Sequence, residues 1–168
     1  MRLLSRVALG AAMTVTLAGM IPAVATAVDA SEVTYSFTVT GSSVVNTVTN
    51  STGVPLTCGT ALAPAPGGVL PPVADVIMAG QTIFTQGEVG PGVTAQTVTD
   101  IPEGSYVALA TCGRYDETPA MWVSAYPGIE EYLIPFQMPA FTVEEASPIV
   151  VIPGPAAPGA GMGTMFGS

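Results

Sequence analysis

Residues Val33 to Thr40 alternate without a break, with Val33, Tyr35, Phe37 and Val39 on one side and Thr34, Ser36, Thr38 and Thr40 on the other. Successive side chains of an extended chain point to opposite faces, so this spacing predicts a half-buried strand. Gly41-Ser42 breaks the run, and Val44 to Thr49 is a second β-rich stretch ending at the turn signal Asn50-Ser51-Thr52-Gly53. Val54, Leu56 and Cys58 then share one face of a third strand. The Ala/Pro/Gly stretch from Ala63 to Pro72 is expected to be a loop. Gln81 to Gln86 and Val93 to Thr99 are further strands around a Gly/Pro-rich turn at Gly87 to Gly92. After the tight turn Ile101-Pro102-Glu103-Gly104, Ser105 to Cys112 is a strong strand, with Val107 and Leu109 on one face and Tyr106, Ala108, Ala110 and Cys112 on the other. Met121 to Ala125, Tyr132 to Phe136, Phe141 to Glu144 and Ile149 to Ile152 complete the expected strands.

Short runs with turn residues between them, and no window with the i, i+3, i+4 spacing of a long helix, predict an all-β sandwich or small barrel. Two ends fall outside this pattern. Arg2 and Arg6 precede an uncharged stretch from Val7 to Ile21, then Pro22 and the small-x-small site Ala25-Thr26-Ala27. That is the layout of a secretory signal peptide, cut after Ala27. Its apolar run is shorter than the ~20 residues that span a bilayer, so no membrane span is expected after cleavage. Leu17-Ala18-Gly19 is followed by Met20 rather than a lipid-bearing Cys, and the two arginines are not adjacent, which sets aside the lipoprotein and twin-arginine routes. The expected location is secreted, extracellular or at the cell envelope. At the other end, 153–168 is a Gly/Pro/Met tail without charge, expected to be disordered. The division is therefore signal peptide 1–27, sandwich domain 28–152 and tail 153–168.

Charge then narrows the function classes. The chain has three basic and twelve acidic residues and no His or Lys. Two of the arginines lie in the signal, which leaves Arg114 as the single base of the mature chain. Such a surface repels phosphate backbones and anionic lipids, so nucleic acid is not an expected partner. Nucleophilic catalysis needs a base beside the nucleophile, and neither a Ser-His-Asp nor a Ser-Lys site can be assembled from this composition. Carboxylate-pair chemistry would have to draw on Asp116/Glu117, Glu130/Glu131 or Glu144/Glu145, and neighbours on an extended strand diverge. A small carboxylate-dependent hydrolase is thus the weakest reading. Asp116 and Glu117 lack the rest of a calcium loop, and scattered methionines without His make a poor copper site. No catalytic residue, metal or cofactor is expected.

Cys58 and Cys112 form an even pair in an exported chain, the usage of a structural disulfide. Two isolated cysteines without His are a poor metal site and lack the close spacing of a redox pair.

Val48-Thr49-Asn50-Ser51-Thr52-Gly53-Val54-Pro55-Leu56 resembles the strand–Asn-x-x-Gly–strand hairpin of CARDB-type bacterial domains, and Ile101-Pro102-Glu103-Gly104-Ser105-Tyr106 resembles the turn and tyrosine that open their penultimate major strand. Over about residues 44–112 the resemblance implies an immunoglobulin-like β-sandwich in which the strands ending near Cys58 and Cys112 are close in space. The family consists mostly of adhesion and assembly modules, which implies a non-catalytic role and transfers no catalytic residue.

Tyr115, Trp122, Tyr126, Tyr132, Phe136 and Phe141 crowd one part of the chain. Trp122 and Phe141 have apolar neighbours and read as core, whereas Tyr126 and Tyr132 lie beside Pro127, Gly128 and two acids and read as loop or rim. The leading expectation is a non-catalytic secreted or envelope-associated module. The alternative is a recognition module using the aromatic loop region 114–132, with Arg114, Tyr115, Trp122, Tyr126 and Tyr132 as candidate binding residues facing an extracellular protein or a cell-envelope glycan. Arg114 is also placed to pair locally with Asp116. If the cysteines are bridged, closing a loop of about 50 residues stabilises the fold by roughly 4 kcal/mol on the chain-entropy model. Cys58→Ala is expected to lower the melting temperature markedly while export continues. Unchanged melting would remove the bridge.

Overall fold

The strand residues pair as two sheets in a computed structural model that describes residues 28–154. The expected signal peptide 1–27 and tail residues 155–168 lie outside the described residues. β1 (Val33–Thr40), β2 (Ser43–Asn50) and β5 (Gly92–Val98) make one sheet in the order β1-β2-β5, all antiparallel. The second sheet runs β4 (Ile83–Val89), β3 (Leu56–Pro64), β6 (Gly104–Arg114), β7 (Ala120–Ala125), β8 (Ala140–Ala146), with β9 (Ile149–Ile152) also on β6. The chain is an all-β sandwich.

β6 organises the larger sheet. One edge pairs with β3 from Tyr106 to Gly113, while the other serves two strands end to end. β9 pairs with residues 104–107, and β7 pairs with residues 111–114. Between them the backbone amides of β6 would be orphaned, and side chains and a loop close the gap. Ala108 N donates to Pro148 O at 3.0 Å and Ala110 N to Ser124 Oγ at 3.0 Å, with Ser147 Oγ 2.8 Å from that same hydroxyl. Unpaired buried amides are costly, so this patch is what lets one strand hold two partners on one edge.

The inner faces of both sheets enclose the main core. Val33, Tyr35, Val48, Leu56, Val89 and Trp122 fill one half, with Phe141 against Trp122. Val44, Leu62, Val98, Tyr106, Val150 and Ile152 fill the other. A polar chain bridges the sheets. Asn46 Nδ2 donates to Thr60 Oγ1 (2.9 Å), Thr60 donates to Gln96 Oε1 (2.9 Å), and Gln96 Nε2 donates to Cys58 O (3.0 Å). Asn46 and Gln96 are register partners on β2 and β5, and Thr60 faces them from β3. The directional run of bonds fixes how the sheets sit on each other, since sliding would strand buried amides.

Cys58 and Cys112 are joined by a disulfide. They are register partners on adjacent antiparallel strands, with Cα atoms 4.0 Å apart, so the bridge lies within one sheet. Its sulfurs face the core beside Trp122.

Several elements differ from the alternation pattern. The strand before the expected loop at Ala63 runs on to Pro64, because β6 continues to offer it partners. Within the expected loop Pro66–Gly68 forms a helical turn, and the residues after the loop form two more, Val73–Asp75 and Val76–Gly80. Tyr132 to Phe136, expected as a strand, belongs to the short helix Ile129–Leu133 and the turn after it. The reason is topological: β7 and β8 are parallel, and a parallel pair needs a crossover rather than a hairpin. The Asn50 turn also makes no hairpin. It carries the chain from β2 in one sheet to β3 in the other, with Asn50 Nδ2 donating to Val54 O and Val89 O while Oδ1 accepts from Thr52. The turn at 87–92 narrows to Gly90-Pro91, since β4 runs on to Val89 and β5 begins at Gly92, and it too crosses between sheets.

Tyr35 on the edge strand β1 ties the two sheets together, its hydroxyl donating to Trp122 O at 2.9 Å. Burial pushes its phenol above the ordinary tyrosine value, against a smaller opposing pull from the Cys112 backbone. The folded state therefore holds this proton more tightly than the unfolded chain does. The contribution is complete below the unfolded value of about 10 and is lost as pH rises past it toward the higher folded value. Tyr35→Phe is expected to cost about 1 kcal/mol at neutral pH. It should also lessen the fall in stability above pH ~10, read from urea midpoints across that range. An unchanged alkaline slope would remove Tyr35 from the transition.

Candidate functional site

The outer face of the larger sheet is only half covered. Val107, Leu109, Met121 and Val123 point outward from β6 and β7, and the helical turns bring Val76, Tyr126 and Ile129 down on them as a second, smaller core. Gly80 allows the close approach, since an added Cβ there would lie 2.9 Å from Ala63 Cβ. Beyond this cover the outward positions become small. Thr57, Gly59 and Ala61 come from β3, and Thr111 and Gly113 from β6. On the far side β4 raises Phe84 opposite Ala61 and Gln86 opposite Gly59.

The result is a trough of about 320 Å³ with a low floor and aromatic walls. Phe84, Tyr115 and Phe136 line it, exposed at 63, 68 and 49%. Gln81, Gln86, Thr57 and Thr111 supply neutral polar side chains, and Thr85 presents its backbone carbonyl at the floor. No charged side chain is among its described lining residues. Large rings are normally drawn into cores, so three exposed around one depression make it the candidate site.

Tyr115 owes its place to the β6–β7 turn. Arg114 Nε lies 2.8 Å from each carboxylate oxygen of Asp116, the local ion pair the spacing predicts. Asp116 Oδ1 also accepts from Thr118 N at 2.9 Å. The Thr118 amide first, and then Arg114, hold that carboxyl below its ordinary value. The bracketed Tyr115 ring lies across Gly113, where any Cβ would collide with it.

A second, smaller recess of about 130 Å³ adjoins the trough, sharing Gln81, Thr111, Met121 and Phe136 with it. Ile77, Leu109, Val123, Ile129 and Leu133 make it apolar, with Tyr132 among its lining residues.

Of the sequence-predicted residues, Tyr115 lines the trough, Tyr132 lines the recess and Arg114 braces the β6–β7 turn. Trp122 stands on the opposite side of the sheet, fully buried, with Nε1 donating to Asp29 O at 2.9 Å. Tyr126, expected at a rim, is only 4% exposed; its hydroxyl donates to Pro71 O, and burial raises its phenol value. These two rings hold structure together and present nothing to a ligand. The aromatic-cluster argument passed over Phe84 and Gly59, which lie outside that stretch of chain. A signal was present in β3, whose outward set Thr57, Gly59 and Ala61 has no large side chain while its inward set includes Leu56 and Leu62.

Among the described residues no helix is long and apolar enough to cross a membrane. No family model, curated protein or solved structure matches the chain.

Gly59 offers a direct handle on the trough. A Cβ built there meets only Thr85 O at 3.7 Å and Thr111 Oγ1 at 4.0 Å, both ordinary contacts. Gly59→Val is expected to fold with stability changed by no more than about 1 kcal/mol, because a β-branched residue suits the strand while its methyls fill the floor. A large drop in melting temperature would show that the glycine serves packing instead.

Proposed function

We propose that this chain is an exported, non-catalytic recognition module whose ligand seats in the trough on the outer face of the larger sheet. The carrying observation is the set of three exposed rings around a floor of Gly, Ala and Thr. Its neutral lining supports the same reading. A mature chain without His or Lys has few groups to move protons, and no carboxylate is among the trough's described lining residues. The N-terminal export pattern and the buried disulfide fit a life outside the cytoplasm. The sandwich is read as immunoglobulin-like, in keeping with adhesion and assembly modules, and the cell envelope as the place of its ligand.

The test is co-sedimentation of the purified exported protein with the washed envelope fraction of the producing cells. The native protein is expected to sediment and Gly59→Val to stay in the supernatant with unchanged melting. Equal sedimentation of the two would place recognition elsewhere on the molecule, and failure of the native protein to sediment would remove the envelope as its target.

A further inference from the structure

The trough has a chemistry that narrows its ligand. Its polar groups are Thr hydroxyls and Gln amides, and each of these both donates and accepts hydrogen bonds. A fixed charge would select an ion; this lining selects a ligand that also donates and accepts without charge. The floor strand β3 is paired on both edges, to β4 and to β6. Its backbone groups are therefore committed, and an extended peptide laid on this face gains none of the main-chain bonds that make strand addition effective at a sheet edge. A polyhydroxylated ring does not need them. Its hydroxyls meet Thr and Gln, and its C–H faces meet the exposed faces of Phe84, Tyr115 and Phe136. The adjoining recess adds a second feature, since it is apolar and large enough for a small alkyl group but not a ring with its hydroxyl shell.

Building on the recognition reading, we propose that the trough binds an uncharged oligosaccharide whose sugars carry a methyl-bearing substituent such as an acetyl group. The sugar ring lies over Gly59 between the aromatic walls, and the methyl enters the recess beside Leu109 and Leu133. The twelve carboxylates of the chain work in the same direction by repelling acidic polysaccharides.

Two pairs of neutral probes isolate the substituent. Partially acetylated glucomannan is compared with the same polymer after alkaline deacetylation, by affinity electrophoresis of the exported protein. N-acetyl chitohexaose is compared with cellohexaose, which lacks the acetamido groups, by titration calorimetry. The acetylated member of at least one pair is expected to bind. Its partner should bind about four-fold more weakly, the ratio set by ~0.8 kcal/mol for one buried methyl. Tyr115→Ala and Phe84→Ala should each weaken binding at least about ten-fold, or ~1.4 kcal/mol, with melting unchanged, and Gly59→Val should abolish it. Equal binding within both pairs, binding retained by Gly59→Val, or no binding by any probe would overturn the proposal. If no probe binds while Gly59→Val still releases the protein from the envelope, the trough is a recognition site for another ligand and only the sugar assignment falls.

Discussion

β6 must bury both of its faces, and the rest of the molecule is arranged around that requirement. Tyr106, Ala108, Ala110 and Cys112 face the smaller sheet, while Val107 and Leu109 face away from it, and all six are at least nine-tenths buried. A two-layer sandwich can satisfy only the first set. The second set needs a third layer, and the chain supplies it with the helical turns at 73–80 and the helix Ile129–Leu133. These segments have too few residues to be stable helices alone. They persist because they cover an apolar face that would otherwise meet water.

The third layer stops where β6 stops being apolar on its outer side. Thr111 and Gly113 follow Leu109 on that face, and the neighbouring outward residues of β3 are equally small. Nothing there needs covering, so the sheet surface stays open and sinks relative to the helical cover on one side and Phe84 on the other. The trough is thus a consequence of side-chain size along two adjacent strands, with walls set by the exposed rings of Phe84, Tyr115 and Phe136. The disulfide joins those same two strands while its sulfurs point into the core. Side chains carried on paired central strands are held more rigidly than side chains on loops.

How much of this was legible in the sequence depends on what each residue reports. Strand existence was legible in the alternation from Val33 to Thr40, although its apolar face is dry only at Val33 and Tyr35, half-buried at Phe37 and exposed at Val39. The two buried faces of Ser105 to Cys112 were legible as well, in apolar residues at both parities. Pairing was not. Parallel alignment of β7 with β8 leaves no mark in local spacing, so the crossover helix was read as a strand from its Tyr, Ile and Phe residues. The Asn50 turn has hairpin chemistry and makes a crossing instead, since its outcome rests on bonds to Val54 and on a long-range bond to Val89. For the site, Tyr115 and Arg114 stood out by type and spacing. Phe84 and Gly59 come together with Tyr115 only through register between β4, β3 and β6, and that is tertiary information.

The scarcity of charge gains a structural meaning from this arrangement. A domain that keeps one Arg against twelve carboxylates has almost no ion pairs with which to orient its parts. The single described pair, Arg114 with Asp116, braces the turn that carries Tyr115. Elsewhere the orienting work falls to neutral polar chains: Asn46–Thr60–Gln96 between the sheets, Asn50 at the crossing turn, and Ser124 with Ser147 in the gap along β6. Neutral hydrogen bonds of this kind hold their strength over a wide range of salt and pH, whereas exposed ion pairs are screened or titrated away. A surface poor in charge also leaves the trough's rings and hydroxyls as its most distinctive chemistry. The same composition leaves neutral hydrogen bonds and packed rings, rather than ion pairs, as the means by which this fold is oriented.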